Sequence, residues 1–389
     1  MPRVARSAVA AVLAVLLVAA PASAQQREPD APVSADGAVL WDPLDGRVLW
    51  GREVDTPRRM ASTTKIMTAL LALEAGAADD TVTVSGAAAA ADDVPGAATL
   101  NLRAGQQVEM DDLLTALMMR SGNDAAAVVA EHVAGNEAAF VAAMNARARE
   151  LGLDDTSFVD ATGLTDSSAH HASPRDLARL GQIAMRVPAF ADLVHDFRAM
   201  LPGFGTLTSR NLLLDTYPGA TGIKTGYTGL AGLCLVASAT REGRTLFAVV
   251  LGSDDNFADT TALLDHGFDD FTVASAADAD VGPYRTSNGD VPTRLIDART
   301  RTVPVDGTIR VRSRLVPEPD GPVRRGTRLG RAELVVAGKV VDTAAIEAVS
   351  ALPAAEPGTA AASAGDAVED AIRAFTRATP RRVDVPTGG

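Results

Sequence analysis

A serine three residues ahead of a lysine, in Met60-Ala61-Ser62-Thr63-Thr64-Lys65, can do chemistry when both side chains sit on one face of a buried helix. The residues that follow, Ile66, Met67, Ala69, Leu70 and Leu73, recur at helical spacing. A helix beginning at Ser62 would then set Lys65 one turn on, within reach of the hydroxyl. A hydroxyl is a weak nucleophile until a base takes its proton, and a lysine in an apolar pocket loses enough pKa to be that base. The positive end of the helix favours negative charge developing near Ser62. The same residues are open to a plainer reading, with Ser62 as a helix cap and Lys65 as a solvated side chain. Composition bears on the choice. Of 36 Lys and Arg, only Lys65, Lys224 and Lys339 are lysine, and lysine, unlike arginine, readily becomes a neutral base at working pH.

Two further stretches carry chemistry. Ser121-Gly122-Asn123 interrupts a helical run. It reads either as a break whose Asn123 caps the next helix, or as a hydroxyl and a carboxamide at a helix junction facing a cleft. In the second reading the hydroxyl relays a proton, and the amide orients a lysine and holds a substrate carbonyl. Gly222-Ile223-Lys224-Thr225-Gly226-Tyr227-Thr228 precedes the strand-like Leu233 to Ala237. A lysine and a threonine on a sheet edge can bind an anion such as a carboxylate, and Gly226 lets a ligand backbone come close.

The elements that must position these groups follow in order. Ala38 to Trp41 and Arg47 to Trp50 read as a hairpin around Asp42-Pro43-Leu44-Asp45-Gly46. Thr81 to Val84 and Leu100 to Leu102 read as small strands. Asp111 to Met119 and Asp124 to Val133 read as helices, Asn136 as the cap of a third that ends at Gly152, and Ser173-Pro174 as a further helix start. Cys234 to Ser238 and Thr245 to Leu251 read as strands, so sheet segments bracket a helical insertion. The expected fold is α/β in the α+β sense, a sheet with packed helices and a helical lobe beside it.

Composition excludes several classes. Residues 25–272 hold 18 Lys/Arg against 34 Asp/Glu, whereas residues 273–389 hold 16 against 15. That break argues for an acidic first domain and a different second one, and against a nucleic-acid protein, which would show a basic face. One cysteine, Cys234, excludes an internal disulfide and reads as a buried strand residue. The five histidines have no metal-ligand spacing, so no metal is placed. Residues 1–24 carry Arg3 and Arg6, an apolar run from Ala8 to Ala20, and Ala22-Ser23-Ala24, the pattern of a cleaved export signal.

In their order along the chain, Ser62-x-x-Lys65, Ser121-x-Asn123 and Lys224-Thr225-Gly226 resemble the motif set of the penicillin-recognising serine enzymes. With Ile66-Met67-Thr68, Asp124-Ala125 and Leu235-Val236-Ala237-Ser238-Ala239, the chain resembles more narrowly the low-molecular-mass penicillin-binding proteins of the S11 type, the D-alanyl-D-alanine carboxypeptidases. The resemblance covers roughly residues 33–272. It implies an exported, cell-envelope or periplasmic serine D,D-carboxypeptidase without cofactor. Such an enzyme trims the terminal D-alanine from peptidoglycan stem peptides and is acylated by β-lactams. A D,D-endopeptidase cutting crosslinks and an inactive wall-binding protein are the alternatives.

Carried over by resemblance, Ser62 is the nucleophile and Lys65 its base. Ser121 and Lys224 pass the proton to the leaving D-alanine, Asn123 holds the substrate amide and Thr225 its carboxylate. Gly226 lines the strand, the N–H groups of Ser62 and Tyr227 form the oxyanion hole, and Arg210 stands near the carboxylate. A class A β-lactamase needs a glutamate between the second and third motifs. Here none follows Glu150 until Glu242, and Glu150 sits in an expected helix without the Glu-x-x-Leu-Asn setting, so penicillin is expected to persist on Ser62. One departure is the run Ser253-Asp254-Asp255-Asn256, where the family implies a basic residue.

Beyond residue 272 the reading is a β-rich domain over residues 273–350. Arg310, Arg312 and Arg314 share one strand face there, facing solvent or an anionic wall or lipid. Residues 351–389 read as a linker and an amphipathic tail with the stripe Val368, Ala371, Ile372 and Phe375, a candidate for peripheral membrane contact.

Overall fold

The computed structural model describes residues 32–90, 97–279, 281–287, 289–318, 321–352 and 372–374. Strands β1 (Gly37–Asp42) and β2 (Arg47–Arg52) form the expected hairpin. A 3₁₀ turn, Ala61–Thr64, runs directly into α1 (Lys65–Glu74), so Ser62 lies on the turn ahead of the helix and not on its first residue. The hydroxyls of Thr63 and Thr64 donate back to the carbonyls of Met60 and Ala61, which holds the segment in the tighter winding.

Next come β3 (Thr81–Thr83), the short α2 (Gly86–Ala90) and β4 (Gln107–Glu109), with β3 and β4 paired. Leu100 to Leu102 is not the strand its composition suggests. The buried Asp124 carboxylate accepts from the N–H groups of Leu100 and Leu102, so a side chain satisfies backbone donors that a strand would give to a neighbour. The helical lobe is α3 (Met110–Arg120), α4 (Asn123–Ala134) and α5 (Glu137–Glu150), followed by α6 (Pro174–Met185) and α7 (Pro188–Val194). Asn136 and Ser173 cap α5 and α6 through the N–H groups of Ala139 and Asp176.

A hairpin of β5 (Arg198–Leu201) and β6 (Gly205–Thr208) and one turn of α8 (Leu213–Thr216) lead to β7 (Ala220–Thr228), β8 (Gly232–Arg241), β9 (Arg244–Ser253) and α9 (Asn256–Asp269). The main sheet runs β2-β1-β9-β8-β7, antiparallel throughout. In β9, Leu246, Ala248 and Val250 join one core with Leu263 and Leu264 of α9, while Phe247, Val249 and Leu251 join another with Leu177 and Leu180 of α6. A strand apolar on both faces needs cover on both, and α6 and α9 supply it.

The remaining strands are β10 (Phe271–Ser275), β11 (Tyr284–Thr286), β12 (Gly289–Val291), β13 (Thr293–Ile296), β14 (Thr300–Pro304), β15 (Ile309–Leu315), β16 (Arg328–Val336), β17 (Lys339–Ala348) and β18 (Ile372–Ala374). They build a second five-stranded sheet, β13-β17-β16-β15-β18, around a third core. The arginines of β15 are not simply solvated. Arg312 and Arg314 lie 2.6 and 3.5 Å from the buried Glu333 of β16, and Arg331 joins them at 2.9 Å. Ile372–Ala374 pair with β15 in extended form, where their spacing suggests a helical stripe. The rest of that tail and the export-signal segment 1–24 lie outside the described residues, in which no helix is long and apolar enough to cross a membrane.

One buried group joins the main sheet to the two-stranded ribbon of β10 and β14. Asp42 is fully buried, and its Oδ2 accepts from the Thr302 hydroxyl of β14 at 2.6 Å and from the Arg244 guanidinium at 2.9 Å. Arg47 donates to the Thr302 carbonyl at 2.6 Å. Removing one partner of such a set leaves the other charge uncompensated, which costs about 3 kcal/mol. Asp42→Ala is therefore expected to move the guanidinium unfolding midpoint down by that equivalent, and an unchanged midpoint would show that the contact contributes nothing.

Candidate active site

The Ser62 turn, the α3–α4 junction and β7 meet at one cleft. Ser62, Ser121, Asn123, Arg210, Thr225 and Tyr227 are among its lining, and its volume is about 260 Å³. Lys65 lies beneath them with no exposure. Its Nζ is 3.0 Å from Ser62 Oγ, 2.8 Å from Asn123 Oδ1 and 2.5 Å from the Thr162 carbonyl. An ammonium has three donors and no acceptor, so the charged form fills all three contacts. Once neutral, the amine has a lone pair, and the Ser62 contact can reverse to take the hydroxyl proton. Burial brings the Lys65 pKa down from the ordinary lysine range to about 7, with Arg210 adding to the effect and Asp160 and Asp124 opposing it.

Asn123 is not the cap of α4. Gly122 occupies that position, and the Asn123 carboxamide turns inward to Lys65. Ser121 sits just past α3 in the left-handed region, φ 68°, and its Oγ is buried without a partner in the structure. An orphaned buried hydroxyl at the edge of a cleft is a group held for something that enters it. Lys224, also buried, donates to the Thr225 carbonyl at 2.9 Å. Burial pushes its pKa well below the ordinary lysine range, and the charges of Lys65 and Arg210 push the same way.

Gly226 makes the contact between β7 and the serine turn. A Cβ there would stand 3.1 Å from the Met60 carbonyl oxygen and 3.1 Å from the Ser62 nitrogen, so a larger residue would push the strand off the turn. Thr225 and Tyr227 flank it, the latter 65% exposed at the rim. Arg210 also borders the cleft, its backbone N–H bonded to the Met119 carbonyl. At the other end, Ser253 donates to Asp259 at 2.6 Å, Asp255 caps α9, and Asn256 donates to the Cys234 carbonyl at 3.1 Å. Where the family implies a basic residue this chain has Asp254 and Asp255 between Ser253 and Asn256, and Arg210 is the one guanidinium bordering the cleft among the described residues.

Sequence reasoning missed the loop 160–163. Asp160 Oδ1 accepts from the N–H groups of Thr162 and Gly163, which fixes the carbonyl that Lys65 meets. His170 ties the two parts together, with Nδ1 accepting from Val159 N–H and Nε2 2.7 Å from Thr64 Oγ1. The signal was present as Asp160-Ala161-Thr162-Gly163, an Asx turn closed by glycine. Gly163 has φ +79°, and a Cβ there would fall 1.9 Å from the Ala61 carbonyl oxygen. Gly163→Ala must displace the Ser62 turn. It is expected to slow acylation by labelled penicillin on the order of 100-fold, as stopped-flow fluorescence would register; a wild-type rate would mean the turn does not depend on this contact.

A serine hydroxyl 3.0 Å from a buried lysine amine, with a second buried lysine on the strand opposite, has the geometry that serine–lysine acyl transfer requires. The sequence profile described as D-alanyl-D-alanine carboxypeptidase, peptidase S11, matches residues 22–255. The chain is 35% identical over 249 residues to the D-alanyl-D-alanine carboxypeptidase DacF of Bacillus subtilis, covering 61% of this chain and 63% of that one. It is 31% identical over 346 residues to DacC of Escherichia coli, covering 84% and 86%. Penicillin binding protein 5 from Haemophilus influenzae superposes with a TM-score of 0.65 at 27% identity, over 83% of this chain and 98% of that one. The protein belongs to the D-alanyl-D-alanine carboxypeptidase family, peptidase S11. Its match spans less than two thirds of the length of DacF.

Proposed function

We propose that this protein is a serine D,D-carboxypeptidase that removes the terminal D-alanine from peptidoglycan stem peptides outside the cytoplasm. The observation that carries the reading is the Lys65 amine, buried, 3.0 Å from Ser62 Oγ and titrating near 7. In this scheme neutral Lys65 takes the Ser62 proton as Oγ attacks the carbonyl of the last peptide bond. Asn123 orients the substrate amide, and the N–H groups of Ser62 and Tyr227 receive the developing oxyanion. Ser121 and Lys224 deliver a proton to the departing D-alanine nitrogen, and Thr225 with Arg210 holds its carboxylate. Water then hydrolyses the ester on Ser62. Penicillin enters the same site and stays as an ester, because no glutamate serves a deacylating water.

The test is D-alanine release from a peptide ending in D-Ala-D-Ala, beside cleavage of a crosslinked dimer and covalent labelling by fluorescent penicillin. Release with labelling supports the proposal. Labelling with dimer cleavage but no release would move the activity to crosslink hydrolysis, and absence of labelling would remove the acyl-enzyme altogether.

A further inference from the structure

We propose that Asp160 is a positioning residue that supplies the counter-charge of Lys65, besides holding the turn whose carbonyl meets that amine. The second task needs one oxygen only: Oδ1 accepts from Thr162 N at 2.7 Å, Thr162 Oγ1 at 2.9 Å and Gly163 N at 2.6 Å. A neutral asparagine would serve that turn as well. The other oxygen, Oδ2, is buried and has no hydrogen-bond partner in the structure. A carboxylate oxygen left so is unfavourable unless a positive charge stands close by. The amine of Lys65 bonds to the same turn, at the Thr162 carbonyl.

The charges facing Lys65 make the need plain. Arg210 acts on it as a cation, and His170 presents a buried imidazole. Asp124 is the other acid, and both of its oxygens are occupied by the loop 99–102. Asp160 Oδ2 is the unmatched negative group of this set. Without it, Arg210 would face Lys65 with no free negative group beside it, and the amine would lose its proton at lower pH. Asp160 touches neither substrate nor the reacting atoms in this scheme; it acts through Lys65.

The inference rests on Lys65 as base, and the test separates the two. Asp160→Asn keeps the Oδ1 acceptor and removes the charge. Removing a nearby negative charge favours the neutral amine, so the acid limb of penicillin acylation is expected to move to lower pH by about one unit. Because the chain has three lysines, isotope-labelled lysine side chains give a direct second readout. The Lys65 titration should move down by the same amount, with no chemistry required. Asp160→Ser, also uncharged and able to accept, replaces the first variant if that one misfolds. A limb and a titration both unmoved would overturn the proposal, reducing Asp160 to a turn residue even if rates fall at every pH. No acylation of the wild type at any pH would sink Lys65 as base, and the lysine titration would still decide the charge.

Discussion

Ser62→Ala is expected to release no measurable D-alanine, a fall of at least about 10⁴-fold, and to carry no label from fluorescent penicillin. The fold should survive. Ser62 Oγ meets Lys65, and without it the amine keeps Asn123 and the Thr162 carbonyl. The neighbouring turn contacts, from Thr63 to Met60 and from Thr64 to Ala61, do not involve the serine side chain. A melting temperature near wild type together with lost labelling would assign the nucleophile. A variant that still releases D-alanine would place the chemistry on another residue, and a wild type inert in both assays would leave a wall-binding protein.

Lys65→Arg should slow acylation by about 10³-fold, because a guanidinium keeps its proton at every working pH and cannot act as base. The wild-type pH profile carries the sign of the same argument. Below the Lys65 pKa of about 7 the amine is an ammonium, so the rate should fall tenfold per pH unit toward acid and level off above it. The arginine variant should lose that inflection. A wild-type acylation rate flat from pH 5 to 8 would falsify Lys65 as the base, whatever the variant does.

Much of this was readable in the chain. The apolar runs of β8 and β9, the caps at Asn136 and Ser173, and the three motifs with their order along the sequence each rest on local chemistry, and each reappears in the structure. What was unreadable depends on partners distant in sequence. Leu100 to Leu102 has the composition of a strand and fails to be one because Asp124, more than twenty residues away, takes its N–H groups. The Thr162 carbonyl that completes the lysine site is a backbone group, which any residue type could supply, so no letter marks it. Arg312 and Arg314 looked like solvated cations because Glu333 becomes their neighbour only through strand pairing. The end of the cleft beyond β9 is similar: Ser253 and Asn256 gain meaning only from Asp259 and the Cys234 carbonyl.

The Asp42, Arg244 and Thr302 contact has a consequence in length. Arg244 begins β9 and Ser253 ends it, and the cleft is bordered by the residues just beyond, Asn256 and Phe257. A ten-residue strand spans about 30 Å, so the β10–β14 ribbon is fastened at the end of β9 away from the cleft. The two ends of β9 therefore do different work: Arg244 takes part in the buried contact with Asp42, and the residues beyond Ser253 border the cleft.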